Sequence, residues 1–179
     1  ADKAYEATVL LGVTTTTADA EGEVLARCPV DVADEAIAAA IDRLRGDIEQ
    51  VPPMYSALKH HGKALYEYAR EGMEIPREPR RVTIHRFDLL SRHGDSLVVR
   101  VECSKGTYVR TLASDLGAFL GCGAHLTALR RTRIGPFDLN GSISLAAFET
   151  MPVGEREGRL APVDALLEQG VQPMLTLYH

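Results

Sequence analysis

The sequence predicts an α+β fold with a mixed, largely antiparallel sheet and flanking helices. Alternation opens the chain, with Tyr5, Ala7, Val9, Leu11 and Val13 on one side of an extended run over residues 1–13. A long hairpin occupies the middle, residues 80–92 and 96–104, around a turn at His93-Gly94-Asp95. Val98, Val99 and Val101 supply its β-branched bulk. Its second strand breaks at Lys105-Gly106 and continues as a helix with an apolar stripe of Val109, Leu112, Ala113, Leu116 and Leu120. Gly117 and Gly121 lie toward that helix's end. Strands dominate and helices are interspersed without repeats, which is the α+β order.

The remaining elements follow from local chemistry. Residues 14–22, TTTTADAEG, read as a polar turn, and residues 23–30 as a short strand. Asp31 or Asp34 caps a helix reaching Leu44, with Ile37, Ile41 and Leu44 on its buried stripe and Gly46 past its end. Residues 46–53 are expected to be a connector, because Pro52 and Pro53 forbid helix. Residues 54–59 read as a strand, His60-His61-Gly62 as a turn, residues 63–71 as a short helix and residues 73–79 as extended chain. Residues 124–134 read as another strand, ended by Gly135-Pro136. Helices are expected over residues 144–151 and 162–170.

At 179 residues there is ample length for a core, and 45% apolar with 25% charged residues is an ordinary globular balance. No apolar run approaches the roughly 18–20 residues of a membrane span, so no membrane partner is expected. Cys28, Cys103 and Cys122 are odd in number and lack C-x-x-C spacing, which indicates neither a disulfide framework nor a zinc site and fits a cytoplasmic location. The net charge of −5 is unevenly spread: residues 77–133 hold 11 Lys/Arg against 5 Asp/Glu, the remainder 9 against 20. A basic segment within an acidic chain can still form a local footprint for nucleic acid.

No histidine pair has helical metal spacing, and no phosphate-binding loop or dinucleotide fingerprint is present, so no metal or cofactor is expected. Aromatic and basic residues remain, the usual means of gripping single-stranded RNA. The Lys105-Gly106 junction presents unpaired backbone N–H groups and positive dipole where the helix begins, with Tyr108 and Arg110 beside it. Taken alone, Tyr5 reads as a core tyrosine, Leu129 as a core leucine, and Lys59, Lys105, Arg110, Arg130 and Arg131 as solvated cations.

The segments CSKGTYVRTLASDLG, YSALKHHGKALYEYAREG and GCGAHLTALRR, in that family's chain order, resemble the TruB family of tRNA pseudouridine synthases. The resemblance implies a pseudouridine synthase sheet with a cleft across it, and isomerisation of a T-loop uridine flipped out of a tRNA stem-loop, without cofactor or metal. Through KAYEATVLLGVTTTTADAEGE it makes Tyr5 the ring that stacks on the uracil and handles protons. Arg110 becomes the partner of the catalytic carboxylate, Tyr108 a substrate contact and Leu129 a wall of the uracil pocket. Lys59, Lys105, Arg130 and Arg131 become contacts to the RNA backbone.

The family's nucleophilic Asp lies in a segment resembling G-x-L-D-P-x-A-T-G, ahead of the Tyr-bearing strand. Here no Asp precedes a Pro. The nucleophile is therefore expected outside this chain, which alone would be inactive, and Arg110 is expected to lack a carboxylate. Residues 1–170 would form a partial catalytic domain with an open sheet edge, and residues 171–179 the start of a connection to a PUA-type domain. The complete enzyme is expected to be monomeric. The alternative is a non-catalytic module that grips or folds tRNA stem-loops.

Overall fold

The computed structural model describes residues 1–162 and residue 165. Its centre is a six-stranded sheet in which every neighbouring pair is antiparallel. The strands are β1 (Lys3–Leu11), β4 (Gly46–Gln50), β7 (Arg80–His93), β8 (Ser96–Cys103), β9 (Ala124–Ile134) and β10 (Phe137–Asp138), in the order β10-β9-β1-β8-β7-β4. Alternation decides which face is buried. Tyr5, Ala7 and Val9 of β1 lie opposite Val101, Val99 and Leu97 of β8, and all six are buried on the same face.

Two helices cover that face. α1 (Asp34–Arg43) contributes Ile37 and Ile41, with Leu44 just beyond it, and α3 (Val109–Phe119) contributes Val109, Leu112, Ala113 and Leu116 to one continuous core. Burying each large apolar side chain stabilises the fold by about 1.5–3 kcal/mol. The other face of the sheet is polar. Glu6 sits opposite Arg100, Arg100 opposite Asp88 and Glu102 opposite Arg86, while Arg133 reaches Glu102 at 2.8 Å. Opposite charges across strands suit a face left in water.

The sequence expectations need correction around the sheet edge. Residues 46–50 form β4, paired with β7 from Gly46–Ile84 to Gln50–Arg80, rather than a connector. Pro52 and Pro53 stop the strand without preventing it from starting. Residues 54–57 are bends rather than a strand, because the prolines carry the chain off the sheet and leave it no neighbour to pair with. Only β5 (Lys59–His60) pairs there, with β6 (Lys63–Ala64), ahead of α2 (Leu65–Arg70). Strand β3 is confined to Val24–Arg27, wholly exposed, and pairs with β2 (Val13–Thr15). The helix expected over residues 144–151 is α4 (Leu145–Thr150), followed by α5 (Val153–Arg156). The helix expected over residues 162–170 falls largely outside the described residues.

On its outer side β9 is paired by β10 only at Ile134 and Arg133, with one isolated parallel bridge between Leu126 and Asp19. The rest of that edge has no strand beside it among the described residues, and Leu129 on it is exposed.

Candidate active site

Three elements meet beside that open edge: β1, the start of α3, and the loop joining β2 to β3. Gly106, at φ +88°, turns the chain after β8, and Thr107 Oγ1 donates to the Ser104 carbonyl at 2.9 Å. The turn delivers Arg110 to the first turn of α3 with both of its terminal nitrogens engaged. Its Nη1 donates to Asp19 Oδ2 at 3.0 Å and to the Thr17 carbonyl at 3.2 Å, and its Nη2 donates to the Tyr55 carbonyl at 2.6 Å. A planar guanidinium matches three acceptors at fixed angles in a way that a Lys ammonium does not.

The expectation that Arg110 lacks a carboxylate is therefore overturned. Asp19 supplies one, from a run that reads in sequence as a plain polar turn. The run is a built loop. Thr17 Oγ1 donates to Asp19 Oδ1 at 2.5 Å, the Glu21 N–H donates to the same oxygen at 3.1 Å, and Thr15 Oγ1 donates to the Asp19 carbonyl at 2.7 Å. Ala18 takes a left-handed backbone (φ +60°), a strain such residues carry only where surrounding contacts hold it. Its carbonyl accepts the Leu126 N–H at 3.0 Å and so ties the loop to β9. Gly22 packs so closely that a Cβ there would lie 2.4 Å from Thr17 Oγ1.

Tyr5 and Arg131 are register partners across β1 and β9, next to a bulge at Ala4/Tyr5. The Arg131 guanidinium carbon stands 5.4 Å from the Tyr5 ring centroid, within cation–π range. A cavity of about 420 Å³ opens between these parts, and Tyr5, Asp19, Tyr108, Arg110, Leu129 and Arg131 share its wall. That volume lies within the roughly 300–1,000 Å³ of small-ligand sites. Tyr5 and the apolar Leu126 and Leu129 offer flat, dry contact to a planar ring, and two guanidiniums offer charge. Both oxygens of Asp19 are already engaged, which makes it an anchor for Arg110.

The structure thus brings Tyr5, Tyr108, Arg110, Leu129 and Arg131 together and leaves Lys59, Lys105 and Arg130 outside the wall. Lys59 lies on β5 by a smaller hollow of about 150 Å³, Lys105 is exposed at the turn, and Arg130 sits opposite Glu6 on the polar face of the sheet. Sequence reasoning missed Asp19, the Tyr55 carbonyl and Gln50. Gln50 is 2% exposed; its Oε1 accepts the Tyr108 N–H at 3.0 Å and its Nε2 donates to the Tyr108 carbonyl at 3.3 Å. A side chain meeting a peptide group leaves no periodicity to read. Among the described residues no cluster of three His, Cys, Asp or Glu could hold a metal ion, and no helix is long and apolar enough to cross a membrane.

The family model described as TruB family pseudouridylate synthase (N terminal domain) matches residues 1–109, and that described as tRNA pseudouridylate synthase B C-terminal domain matches residues 110–177. The tRNA pseudouridine synthase B of Aromatoleum aromaticum is 63% identical over 93% of this chain and 54% of that protein. That of an Azoarcus species is 59% identical over 93% of this chain and 56% of its own length. The chain spans about half the length of the curated relatives it matches. Among solved structures, a chain in a crystal structure of a Cbf5-Nop10-Gar1 complex superimposes with a TM-score of 0.60 at 29% identity, over 82% of this chain and 34% of that one.

Proposed function

This chain belongs to the TruB family of pseudouridylate synthases, and from that premise we propose that it forms the base-gripping part of a tRNA pseudouridine synthase acting on a uridine of the T-loop. The reaction is an isomerisation. The bond from ribose C1′ to uracil N1 breaks, the ring turns, a bond from C1′ to C5 forms, C5 gives up its proton and N1 gains one. No oxidant, metal or cofactor is needed to balance it.

Tyr5 stacks on the extruded uracil and takes part in proton transfer. Leu129 and Tyr108 bound the ring. Arg110, anchored by Asp19, holds its charge toward the ribose and the attacking carboxylate. Arg131 meets the backbone at the cavity mouth, and Lys59, Lys105 and Arg130 add phosphate contacts that orient the RNA without reading it. The nucleophilic Asp comes from outside this sequence, in a polypeptide that works as a monomer. What supports this reading is the single cavity shared by the Tyr5 ring and the Arg110 guanidinium.

The test compares two polypeptides on a tRNA transcript: one carrying this sequence at the full length of its relatives, and the 179-residue chain alone. Pseudouridine in the T-loop is expected from the first and none from the second, while the second still binds a T-arm stem-loop. Turnover by the 179-residue chain would refute the placement of the nucleophile, and a longer polypeptide that binds RNA without modifying it would refute the activity.

A further inference from the structure

Gln50 closes β4, and the chain leaves the sheet immediately after it through Pro52 and Pro53. It is the most deeply buried polar side chain among the described residues. Burying an amide is costly unless both its donor and its acceptor are used, and here both are spent on one residue, Tyr108, 58 positions away. Tyr108 is the N-cap of α3, with an extended backbone and no side-chain cap of its own. Its carbonyl also starts the helix, accepting the Leu112 N–H at 3.1 Å. The Gln50 amide therefore holds the N-cap residue by both of its backbone polar groups, acting as a peptide group imported from the sheet edge.

The same segment touches this turn twice. Past the prolines, the Tyr55 carbonyl accepts from Arg110 Nη2 at 2.6 Å. One stretch of chain thus holds the backbone of Tyr108 and the side chain of Arg110, while Asp19 holds Arg110 from the other side.

We propose that Gln50 is a positioning residue: its amide fixes the entry of α3 through Tyr108, so that Tyr108 and Arg110 meet the base at the reacting distance. This rests on the pseudouridine synthase reading. The residue touches no substrate and acts only through Tyr108. Its chemistry is specific, because the site needs one acceptor and one donor at fixed separation. Asn is too short to reach, and an ionised carboxylate would face the Tyr108 carbonyl with a lone pair.

Gln50→Glu and Gln50→Ala are made in the polypeptide carrying this sequence at the length of its relatives. Both are assayed on tRNA well below their Tm, with folding checked by circular dichroism. Loss of fine positioning is expected to lower kcat on the order of 10–100-fold with KM within about twofold. For Gln50→Glu the ratio of variant to wild-type kcat rises as the pH is lowered, because the protonated acid regains a donor; Gln50→Ala shows no such recovery. Folded variants with wild-type kcat, or a raised KM with kcat unchanged, overturn the proposal. A wild-type polypeptide that forms no pseudouridine sinks the functional reading and this proposal with it, whereas an active wild type with unimpaired variants sinks this proposal alone.

Discussion

Arg110 and Asp19 show how a residue's role depends on what folds against it. Their side chains are 22% and 20% exposed, too buried to be a surface pair of negligible worth and too wet for the full penalty of a buried one. A double-mutant cycle of Arg110→Ala and Asp19→Ala, read by urea denaturation, is expected to give a coupling of about 1–3 kcal/mol. Arg110→Lys should recover little of it, since one ammonium cannot satisfy the Asp19, Thr17 and Tyr55 oxygens together. Asp115 of α3 offers a pH test. Burial raises its carboxyl above the usual range, so the folded state retains a proton that the unfolded chain has lost. Stability from this group therefore falls as pH rises from the ordinary Asp value through the raised one. A negative charge in the later half of a helix also opposes the dipole. Asp115→Asn should raise Tm at pH 7, and the gain should vanish in acid. Tyr5 and Arg110 could be singled out in the sequence through family resemblance, because nothing in their spacing separates a catalytic tyrosine from a core one. Asp19 escaped notice because TTTTADAEG has the composition of a turn, and only the Ala18 backbone and the tie to Leu126 turn it toward the cavity.

Among elements, those with long apolar periodicity were readable: β1, the β7–β8 hairpin, α1, α3 and β9 lie within a few residues of where alternation and helical spacing put them. β4 was hidden because its pattern, GDIEQ, carries one apolar residue and borrows its order from β7. Edge strands are specified by their neighbours, and a single sequence does not show who the neighbour is. The packing of α3 on β9 gives a test in which two effects compete. At Gly117 a Cβ would lie 2.2 Å from the Ala124 nitrogen and 2.3 Å from the Gly123 carbonyl carbon. Helix propensity favours Gly117→Ala by about 1 kcal/mol. Backbone atoms cannot rotate aside, however, and overpacking costs about 1–3 kcal/mol or more. Sterics wins, so Gly117→Ala should lower Tm, while Gly154→Ala, with nothing within 4 Å, should not.

For the whole molecule, net charge and binding charge are different quantities. The chain carries −5 overall, yet guanidiniums stand in and around the cavity. On the proposed function, binding of a T-arm stem-loop is expected to weaken steeply with salt, and Arg131→Ala or Lys105→Ala to flatten the plot of log K against log salt by roughly 0.7–0.9 each. The charge imbalance was visible in the sequence; its geometry was not, since Arg130 and Arg131 are neighbours in the chain yet face opposite sides of β9. The two family models divide the chain at residues 109 and 110, inside the opening turn of α3, where no hinge or gap exists. Val109, Leu112 and Leu116 belong to the same core as Val9, Val99 and Phe87, so the border drawn by similarity runs through the middle of one interior. A polypeptide severed there would part α3 and β9 from α1 and from the strands β1, β7 and β8 that share their core. The two matched portions are therefore expected to fold together, not as separable cassettes.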